Sequence, residues 1–303
     1  MAGVRANLST PAPAPLHAEE RGRFSRRVRA RDRKVGKQMK TAEGNDTTEQ
    51  RARASLNPAR GARACLTLAL AALFVFAATD ARAQRRFSRE YPVPPNIRLQ
   101  LINRSGRIEV YAWNKRIVRV TATMEAPAAK MTPEVNGEGV TIDVRRDNRE
   151  DVGDVNFTIQ VPVGATVDIS TMSGGIIIRD VHGPMVRAHV STEGDIELTG
   201  IRAQTVMAEN TVGNILFDAE LLRGGTYVLN STQGDIQLRI TAEAGFRLMA
   251  VAPRTRNIEL NGFAQMGEFE YFNDKRKVVG KVGDGGAALS TTNGRGSIVF
   301  MPR

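Results

Sequence analysis

A five-residue motif, Gly-x-Ile-x-Φ with Φ a large apolar residue, recurs along most of this chain and constrains its fold more than any other feature. Seven copies carry isoleucine at the third position, and six of them carry glycine at the first. The copies are GRIEV from Gly106, GGIII from Gly174, GDIEL from Gly194, GNILF from Gly213, GDIQL from Gly234, RNIEL from Arg256 and GSIVF from Gly296. From Gly174 to Gly234, consecutive copies lie 20, 19 and 21 residues apart. This period predicts an all-β fold, a parallel β-solenoid whose coils of about 20 residues each hold two short strands and two turns.

Stacked copies of the motif form columns of equivalent side chains along the solenoid. The column two residues after the motif glycine is invariant: Ile108, Ile176, Ile196, Ile215, Ile236, Ile258 and Ile298. The column two residues further on is always apolar: Val110, Ile178, Leu198, Phe217, Leu238, Leu260 and Phe300. Both columns are predicted to point inward. At about 1.5 to 3 kcal/mol per buried side chain, the isoleucine column contributes on the order of 10 to 20 kcal/mol, which is an upper bound.

Short polar residues mark the corners of the predicted coils. Three residues before the motif glycine stand Asn103, Thr171, Ser191, Asn210, Ser231 and Asn293, and the copy at Arg256 has Pro253 instead. Such side chains hydrogen-bond the backbone of turns and can bond to one another when stacked. We therefore expect this column to support the corners of the solenoid.

A second polar column directly follows the glycine and has two interpretations. It consists of Asp195, Asn214, Asp235 and Asn257. Alternation of charged and neutral residues avoids like charges on adjacent strands, which favours a structural ladder. Calcium also binds such oxygen atoms, but two carboxylates on alternate coils give few charged ligands, and the nine-residue calcium repeat is absent. We predict the structural ladder, with no metal and no other cofactor.

The flanks of the repeats follow other patterns. Period-two alternation over residues 118–122, 140–144 and 155–161 predicts half-buried strands, interpreted as a short antiparallel region before the coils. Residues 84–96, which include Pro92, Pro94 and Pro95, are predicted to form a linker, so that strands begin near Ile97. The stretch 262–286 departs from the repeat and contains a predicted hairpin tip, NDKRK, at 273–277. The C-terminal strand, followed by Pro302, is predicted to be a protected sheet edge.

The charge and the apolar segment near the N-terminus point to export. Residues 1–64 carry +9 of the total net charge of +11, which leaves +2 for residues 65–303. A nearly neutral repeat region without a reading element excludes a nucleic-acid partner. Residues 1–63 have the composition of a disordered basic extension. Residues 64–83 combine a short apolar run with Ala81-Arg82-Ala83, which predicts a signal peptide cleaved before Gln84. The alternative is a retained membrane anchor through residues 64–79.

Candidate catalytic residues are few, and each has a structural explanation. Glu193, Asp195 and Glu197 cluster in sequence as acids do in polysaccharide lyases and hydrolases with β-helix folds, but a catalytic site also requires a positioned base or metal. His182 and His189, the histidines downstream of the predicted cleavage site, are expected to be surface residues. The single cysteine, Cys65, lies in the apolar run, so thiolate chemistry is excluded from the mature chain. We predict a non-catalytic protein.

Two further groups are predicted to have structural roles with a binding alternative. Tyr111 and Trp113 are expected to plug the first coil instead of facing a sugar. Lys275, Arg276 and Lys277 at the hairpin tip are expected to be a solvated turn, with contact to an anionic glycan or lipid headgroup as the alternative.

Longer stretches of the chain resemble a bacterial adhesin-like β-strand repeat family, a domain of unknown function related to head-domain adhesin-like proteins. The resemblance covers residues 97–300. It rests on NRSGRIEVYAW with the following VRVTAT, on IQVPVGATVDISTMSG, on the serial GDI and GNI copies and on GDGGAALSTTNGRGSI. The resemblance implies an exported, solenoid-like domain over residues 97–303, and the family is associated with adhesion without a defined ligand.

Together these features predict a non-catalytic exported scaffold, periplasmic or at the cell surface. Its sheet faces would bind an envelope or extracellular glycan or protein. Two alternatives remain at this point: a membrane-anchored module for envelope stress or signalling, and a carbohydrate-active β-helix enzyme.

Overall fold

The computed structural model of the protein describes residues 84–148 and 150–303. The predicted basic extension at 1–63 and the predicted signal or anchor at 64–83 therefore lie outside the described residues. Strands account for 58% and helices for 4% of the structure, which confirms the all-β prediction. In the part of the chain that the structure describes, no helix is both long enough and apolar enough to cross a membrane.

Twenty-one strands and two short helices make up the described chain. The strands of the first half are β1 (Arg85–Pro92), β2 (Arg98–Ile102), β3 (Ile108–Trp113), β4 (Ile117–Met124), β5 (Glu134–Val135), β6 (Gly139–Asp143), β7 (Val155–Pro162), β8 (Thr166–Ser173), β9 (Ile176–Arg179), β10 (Met185–Glu193) and β11 (Ile196–Ile201). The remaining strands are β12 (Thr205–Val212), β13 (Ile215–Ala219), β14 (Thr226–Gln233), β15 (Ile236–Ile240), β16 (Phe246–Val251), β17 (Ile258–Glu259), β18 (Gly267–Phe272), β19 (Lys277–Val282), β20 (Ala287–Asn293) and β21 (Ile298–Pro302). The helices are α1 (Val144–Asp147) and a 3-10 helix (Asn261–Gln265).

The strands form two sheets that share the core between them. The ten-stranded sheet has the order β1-β4-β7-β3-β9-β11-β13-β15-β21-β17. The eleven-stranded sheet has the order β18-β19-β16-β20-β14-β12-β10-β8-β2-β6-β5. Each coil places one strand in the eleven-stranded sheet and the next strand in the ten-stranded sheet, and strands of neighbouring coils are parallel. The predicted parallel β-solenoid with two strands per coil is confirmed.

The stack contains one coil that the motif does not reveal. In β7, Val155, Phe157 and Ile159 occupy the positions of the motif glycine, isoleucine and apolar residue. Phe157 pairs with Ile108 and Ile159 pairs with Val110, so that β6 and β7 form a coil outside the first motif copy. The sequence reasoning assigned both strands to an antiparallel region, because neither carries the Gly-x-Ile signature. They pair in parallel with β2 and β3 on one side, and antiparallel with β5 and β4 on the other.

The C-terminal coil is inserted between two earlier ones. Strand β20 lies between β14 and β16, and strand β21 lies between β15 and β17. The prediction that the C-terminal strand forms a sheet edge is therefore wrong. The irregular stretch provides the physical reason, because the 3-10 helix and the β18–β19 hairpin carry the chain past coil β16–β17 before it returns inside it.

The predicted linker is partly a strand. Strand β1 pairs antiparallel with β4 over its full length, from Arg85 opposite Met124 to Pro92 opposite Ile117. Strand β4 also pairs antiparallel with β7, which confirms an antiparallel region at this end of the stack. Strands therefore begin at Arg85 and not near Ile97, because the polar residues of β1 suit an exposed sheet edge.

The two inward columns form the core. Isoleucines of the first column are at most 1% exposed, except for half-buried Ile258 in the outermost coil. In the second column Phe217 packs against Tyr227, with ring centroids 5.9 Å apart. The hydroxyl of Tyr227 donates to Ala203 O at 3.0 Å and accepts from Leu222 N at 2.7 Å. The buried tyrosine is therefore fully hydrogen-bonded, as a polar group in a core must be.

The motif glycines form a column that the stacking itself requires. Gly213 has φ +135°, and a Cβ at this position would overlap the carbonyl oxygen of Gly194 in the adjacent coil. Its amide donates to Gln233 O at 2.8 Å on the other side. Arg256 occupies the same position in coil β16–β17, keeps a positive φ of 58° and lies in the outermost coil. The exception to the motif is thus found where one neighbour is missing.

Candidate functional surfaces

The three acids of the catalytic hypothesis do not form a site. Glu193 ends β10 in the eleven-stranded sheet, whereas Glu197 lies in β11 of the ten-stranded sheet. Glu197 is paired with Arg179 at 2.9 Å, and Asp195 between them accepts Asn214 N at 2.7 Å. The turn between the sheets thus separates Glu193 from Glu197, and Asp195 and Glu197 are both engaged in contacts within the fold.

The aspartate column is a hydrogen-bonded ladder. Asp195 Oδ1 accepts Asn214 N at 2.7 Å, Asn214 Oδ1 accepts Asp235 N at 2.9 Å, and Asp235 Oδ1 accepts Ser297 N at 2.8 Å. The predicted fourth member, Asn257, is displaced, because the inserted C-terminal coil places Ser297 beside Asp235. Each acceptor oxygen is thus used by the backbone of the next coil.

The pH dependence of stability provides a test of this ladder. Hydrogen bonds from the backbone and the side chain of Ser297 lower the pKa of Asp235 below its ordinary value of 3.8. Its carboxylate therefore stabilises the fold above about pH 4, and this contribution is lost as the pH falls through the lowered pKa. We expect Asp235→Asn to reduce the loss of unfolding free energy on acidification. Urea titrations from neutral to acidic pH measure this, with Asp274→Asn, whose side chain is 80% exposed, as the control.

The corner column is confirmed at most positions and wrong at one. Asn103 Nδ2 donates to Val155 O at 3.0 Å, and Asn293 Nδ2 donates to Ser297 O at 3.0 Å. In β10, however, the register shifts after Val190, so that Val190 and not Ser191 lies opposite Thr171 and Asn210. Ser191 is exposed. Directly after β16, Ala252 occupies the position equivalent to Asn293, so the corner at Pro253 lacks a polar side chain, as the sequence indicates.

The outer face of the ten-stranded sheet carries the aromatic residues of the first coil. Ile108, Val110 and Ala112 face inward, so Tyr111 and Trp113 point outward, and the prediction that they plug the first coil is wrong. The strand alternation in IEVYAW could have shown this. Both rings are half-buried. Cations lie over each ring: Lys115 Nζ at 4.8 Å and the Arg119 guanidinium at 4.9 Å from the Trp113 centroid, and the Arg179 guanidinium at 5.9 Å from the Tyr111 centroid.

Carboxylates fix these side chains in place. Glu109 accepts Arg107 Nε at 2.7 Å and the Tyr111 hydroxyl at 2.9 Å. Burial raises the pKa of Glu109, but these hydrogen bonds and the neighbouring guanidinium charges outweigh it, so the pKa lies below its ordinary value. Glu109 is therefore an anion near neutral pH. The aromatic face, defined as Glu109, Tyr111, Trp113, Arg119 and Arg179, presents apolar rings and fixed charges on a flat surface.

The outer face of the eleven-stranded sheet contains a group that the sequence reasoning missed. His189 Nε2 lies 3.3 Å from Ser191 Oγ, and His189 Nδ1 lies 3.6 Å from Glu209 Oε2. Asn230 Nδ2 donates to Glu209 Oε1 at 3.2 Å. The order of serine, histidine and glutamate is that of a nucleophile, a base and an orienting acid. The signal was present in the chain, because Glu209 follows His189 by one coil of 20 residues.

The geometry of this group falls short of a hydrolytic site. The separation between His189 Nδ1 and Glu209 Oε2 exceeds hydrogen-bond distance, so Glu209 does not orient the ring. The residues lie on neighbouring strands of an open sheet face, whereas hydrolysis also requires donors placed for the oxyanion. The arrangement supports polar contacts with a ligand better than it supports covalent catalysis.

A shallow cleft runs along the corner that follows the ten-stranded sheet. It has a volume of about 390 Å³, and His182, Arg202, Gln204 and Leu222 contribute to its lining. A smaller adjoining cleft of about 190 Å³ is lined in part by Asp180, Glu220 and Arg303. Arg202 Nε lies 3.5 Å from Glu220 Oε1, so the charges of this corner are largely paired. His182 is exposed, as predicted.

The middle of the chain matches a known family. A family model described as Toastrack DUF4097 matches residues 149–252. These residues span coils from β7 to β16, and Toastrack is a β-solenoid-like fold. This confirms the resemblance to an adhesin-like β-repeat family that the sequence indicates. The match is shorter than the range 97–300 over which the motifs extend.

Solved structures also resemble the chain. A crystal structure of a candidate cell adhesion protein from Clostridium sporogenes is 10% identical, with a TM-score of 0.43, and the alignment covers 72% of this chain and 100% of that one. A candidate adhesin from Bacteroides fragilis is 11% identical, with a TM-score of 0.29 and coverage of 73% and 99%. A candidate lipid-binding protein from Parabacteroides distasonis is 10% identical, with a TM-score of 0.29 and coverage of 72% and 97%. No curated protein matches the chain.

Proposed function

We propose that this protein is an exported, non-catalytic β-solenoid that binds an envelope or extracellular glycan through the aromatic face. The aromatic face carries the proposal, because it combines half-buried rings with fixed charges on a flat sheet. The exposed parts of these rings offer apolar contact to a sugar, and the arginines over the rings and Glu109 offer hydrogen bonds to its hydroxyl and carboxylate groups. A face built on adjacent strands is rigid, which reduces the entropic cost of binding.

The use of the repeat residues supports a scaffold. Glycine, aspartate and asparagine positions are occupied by hydrogen bonds between coils, so the recurring polar residues are structural. Chemical variety is left to the outward positions, which differ from coil to coil: Glu109, Ile177, Glu197, Leu216, Gln237, Val299 and Glu259. A surface that varies while its framework repeats is suited to recognition and not to a repeated reaction.

Affinity electrophoresis through gels containing defined neutral or acidic polysaccharides tests the glycan. We expect at least one polysaccharide to retard the full-length protein, and the Tyr111→Ala, Trp113→Ala double variant to lose most of this retardation. Gln237→Ala, at an outward position on the same sheet but away from the rings, is the matched control. Equal retardation of the double variant and the wild type would contradict the proposal.

The same polysaccharides separate binding from catalysis. We expect no new reducing ends or unsaturated products during incubation with the protein. Formation of such products, abolished by His189→Ala, would instead favour the carbohydrate-active enzyme and the His189 group.

Export is tested by the N-terminus of the protein in the producing cell. Strand β1 begins at Arg85, one residue after Gln84, so cleavage after Ala83 would leave every described strand intact. We expect N-terminal sequencing of the exported fraction to begin at Gln84. An exported protein that retains residues 64–79 and remains in the membrane fraction would favour the anchored alternative.

A further inference from the structure

The positive charge of the repeat domain is concentrated at one corner of the stack, at the end that strands β16 to β19 form. Two exposed turns form this corner, residues 253–256 and residues 273–276. The basic corner is defined as Arg254, Arg256, Lys275, Arg276 and Lys277. Asp274 is the one acid in these sequence stretches, which gives a local net charge of +4. Since residues 65–303 together carry +2, the rest of this region carries −2.

Backbone hydrogen bonds join the two turns into one rigid unit. Ala252 N donates to Arg276 O at 2.8 Å, and Arg276 N donates to Asn273 O at 3.2 Å to close the hairpin between β18 and β19. Asn273, Asp274 and Lys275 all have positive φ, between 52° and 65°. Arg256 Nη1 lies 3.9 Å from Asp274 Oδ2, but both side chains are largely exposed, so this pair is weak. The basic side chains are thus displayed together on a fixed turn.

Two large, exposed apolar side chains, Phe272 and Met249, lie beside the basic corner. Phe272, directly before the tip, is 42% exposed, whereas Tyr271, next to it in β18, points to the opposite face of the sheet. Met249 of the adjacent strand β16 is 43% exposed. Phe272 and Val251 both pair with Lys277, so these apolar side chains lie beside the cations on the outer face of the eleven-stranded sheet. Exposed apolar side chains grouped at one site indicate a binding surface.

From this juxtaposition we propose that the basic corner docks on an anionic lipid bilayer, with Phe272 and Met249 entering the interfacial region. Cations near an anionic leaflet are attracted to its headgroups, and aromatic side chains prefer the interface between water and hydrocarbon. An anionic polysaccharide would satisfy the cations but would leave Phe272 and Met249 without an apolar partner. The observations therefore favour a membrane over a soluble polyanion.

Docking of this kind is independent of the proposed glycan binding. The basic corner lies beside strands at one end of the eleven-stranded sheet, whereas the aromatic face belongs to strands β3, β4 and β9 of the ten-stranded sheet. Loss of one activity with retention of the other would therefore separate the two proposals.

Vesicle co-sedimentation of the full-length protein tests the proposal. The measured quantity is the ratio of binding to phosphatidylcholine–phosphatidylglycerol vesicles over binding to phosphatidylcholine vesicles, compared between each variant and the wild type. An uncleaved apolar segment would bind both kinds of vesicle equally, and the basic residues 1–63 are the same in every protein compared. We expect the wild type to prefer the anionic vesicles and to lose this preference at high salt. Lys275→Asn with Arg276→Gln is expected to lower the ratio about 30-fold, since each cation near the surface contributes a factor of about five. Asparagine at 275 tolerates the positive φ of the turn.

Matched variants make the outcome decisive. Arg85→Gln with Arg86→Gln removes the same charge from strand β1, at the other end of the stack, and is expected to keep the ratio unchanged. Phe272→Ser with Met249→Ser is expected to weaken binding to the anionic vesicles several-fold, and thermal unfolding followed by circular dichroism verifies that each variant is folded. Equal binding to both vesicle types, or an unchanged ratio in the Lys275, Arg276 variant, would overturn the proposal. The proposal would also be overturned if the wild type bound soluble polygalacturonate through Lys275 and Arg276 but showed no preference for anionic vesicles. That result would identify the basic corner as a glycan site.

Discussion

Gly213→Ala is expected to destabilise the protein by about 3 kcal/mol or more, because a single added methyl group meets two obstacles. The residue has φ +135°, a conformation that costs an L-amino acid on the order of 1 to 3 kcal/mol. The new Cβ would also overlap Gly194 O, and backbone atoms of a stacked coil cannot move aside without breaking hydrogen bonds on both sides. Equilibrium unfolding in urea measures the loss, and an insoluble variant would agree with it.

Gly137→Ala is the matched control for this substitution. A Cβ at Gly137 meets no atom within 4 Å, and the residue lies in an exposed turn without positive φ. Alanine there is expected to leave stability unchanged or to raise it by up to about 1 kcal/mol, through a less flexible unfolded chain. If both alanine variants unfolded at the same urea concentration, the glycine column would not be a requirement of the stacking.

The same glycine column shows why so much of the fold could be predicted from the sequence. Each coil repeats the same steric problem at the same position, so the solution recurs as a visible pattern at Gly174, Gly194, Gly213 and Gly234. The isoleucine column recurs for the same reason, since each side chain packs on its counterpart in the next coil. Periodic physical constraints leave periodic sequences, and the all-β solenoid follows from them.

The order of the coils could not be predicted in this way. Strand β21 carries the same motif as its neighbours, and the motif has no feature that distinguishes a coil at the end of the stack from one inside it. The insertion between β15 and β17 depends on the path of residues 262–286, which follow no repeat. Coil β6–β7 was missed for the opposite reason, because Phe157 fills the isoleucine position and Val155 the glycine position.

Local irregularities also limited the prediction of the candidate surfaces. Counting back from Gly194 placed Ser191 in the corner column, but the register shift in β10 moves it outward, where it contacts His189. Tyr111 and Trp113 were expected to plug the first coil, although the alternation with Val110 and Ala112 places them on the aromatic face. In a solenoid, strand parity is a better guide to exposure than residue type, because the outer faces of both sheets are open.

The second large effect is expected for Ile215→Ala. Ile215 faces inward in strand β13, whereas the next residue, Leu216, faces outward. Ile215 is fully buried in the centre of the stack, where it pairs with Ile196 and Ile236 on either side. Truncation removes apolar contacts with two coils and leaves a cavity, so we expect a loss of about 2 to 5 kcal/mol in the free energy of unfolding. Leu216→Ala removes the same number of carbon atoms from the next, outward position and is expected to cost about 1 kcal/mol or less. Asp195→Ala, which removes one exposed acceptor of the ladder, is expected to have a similarly small effect. Urea denaturation measures the free energy of unfolding of all three variants. If Ile215→Ala lost no more stability than Leu216→Ala, the inward isoleucine column would not be the main source of stability.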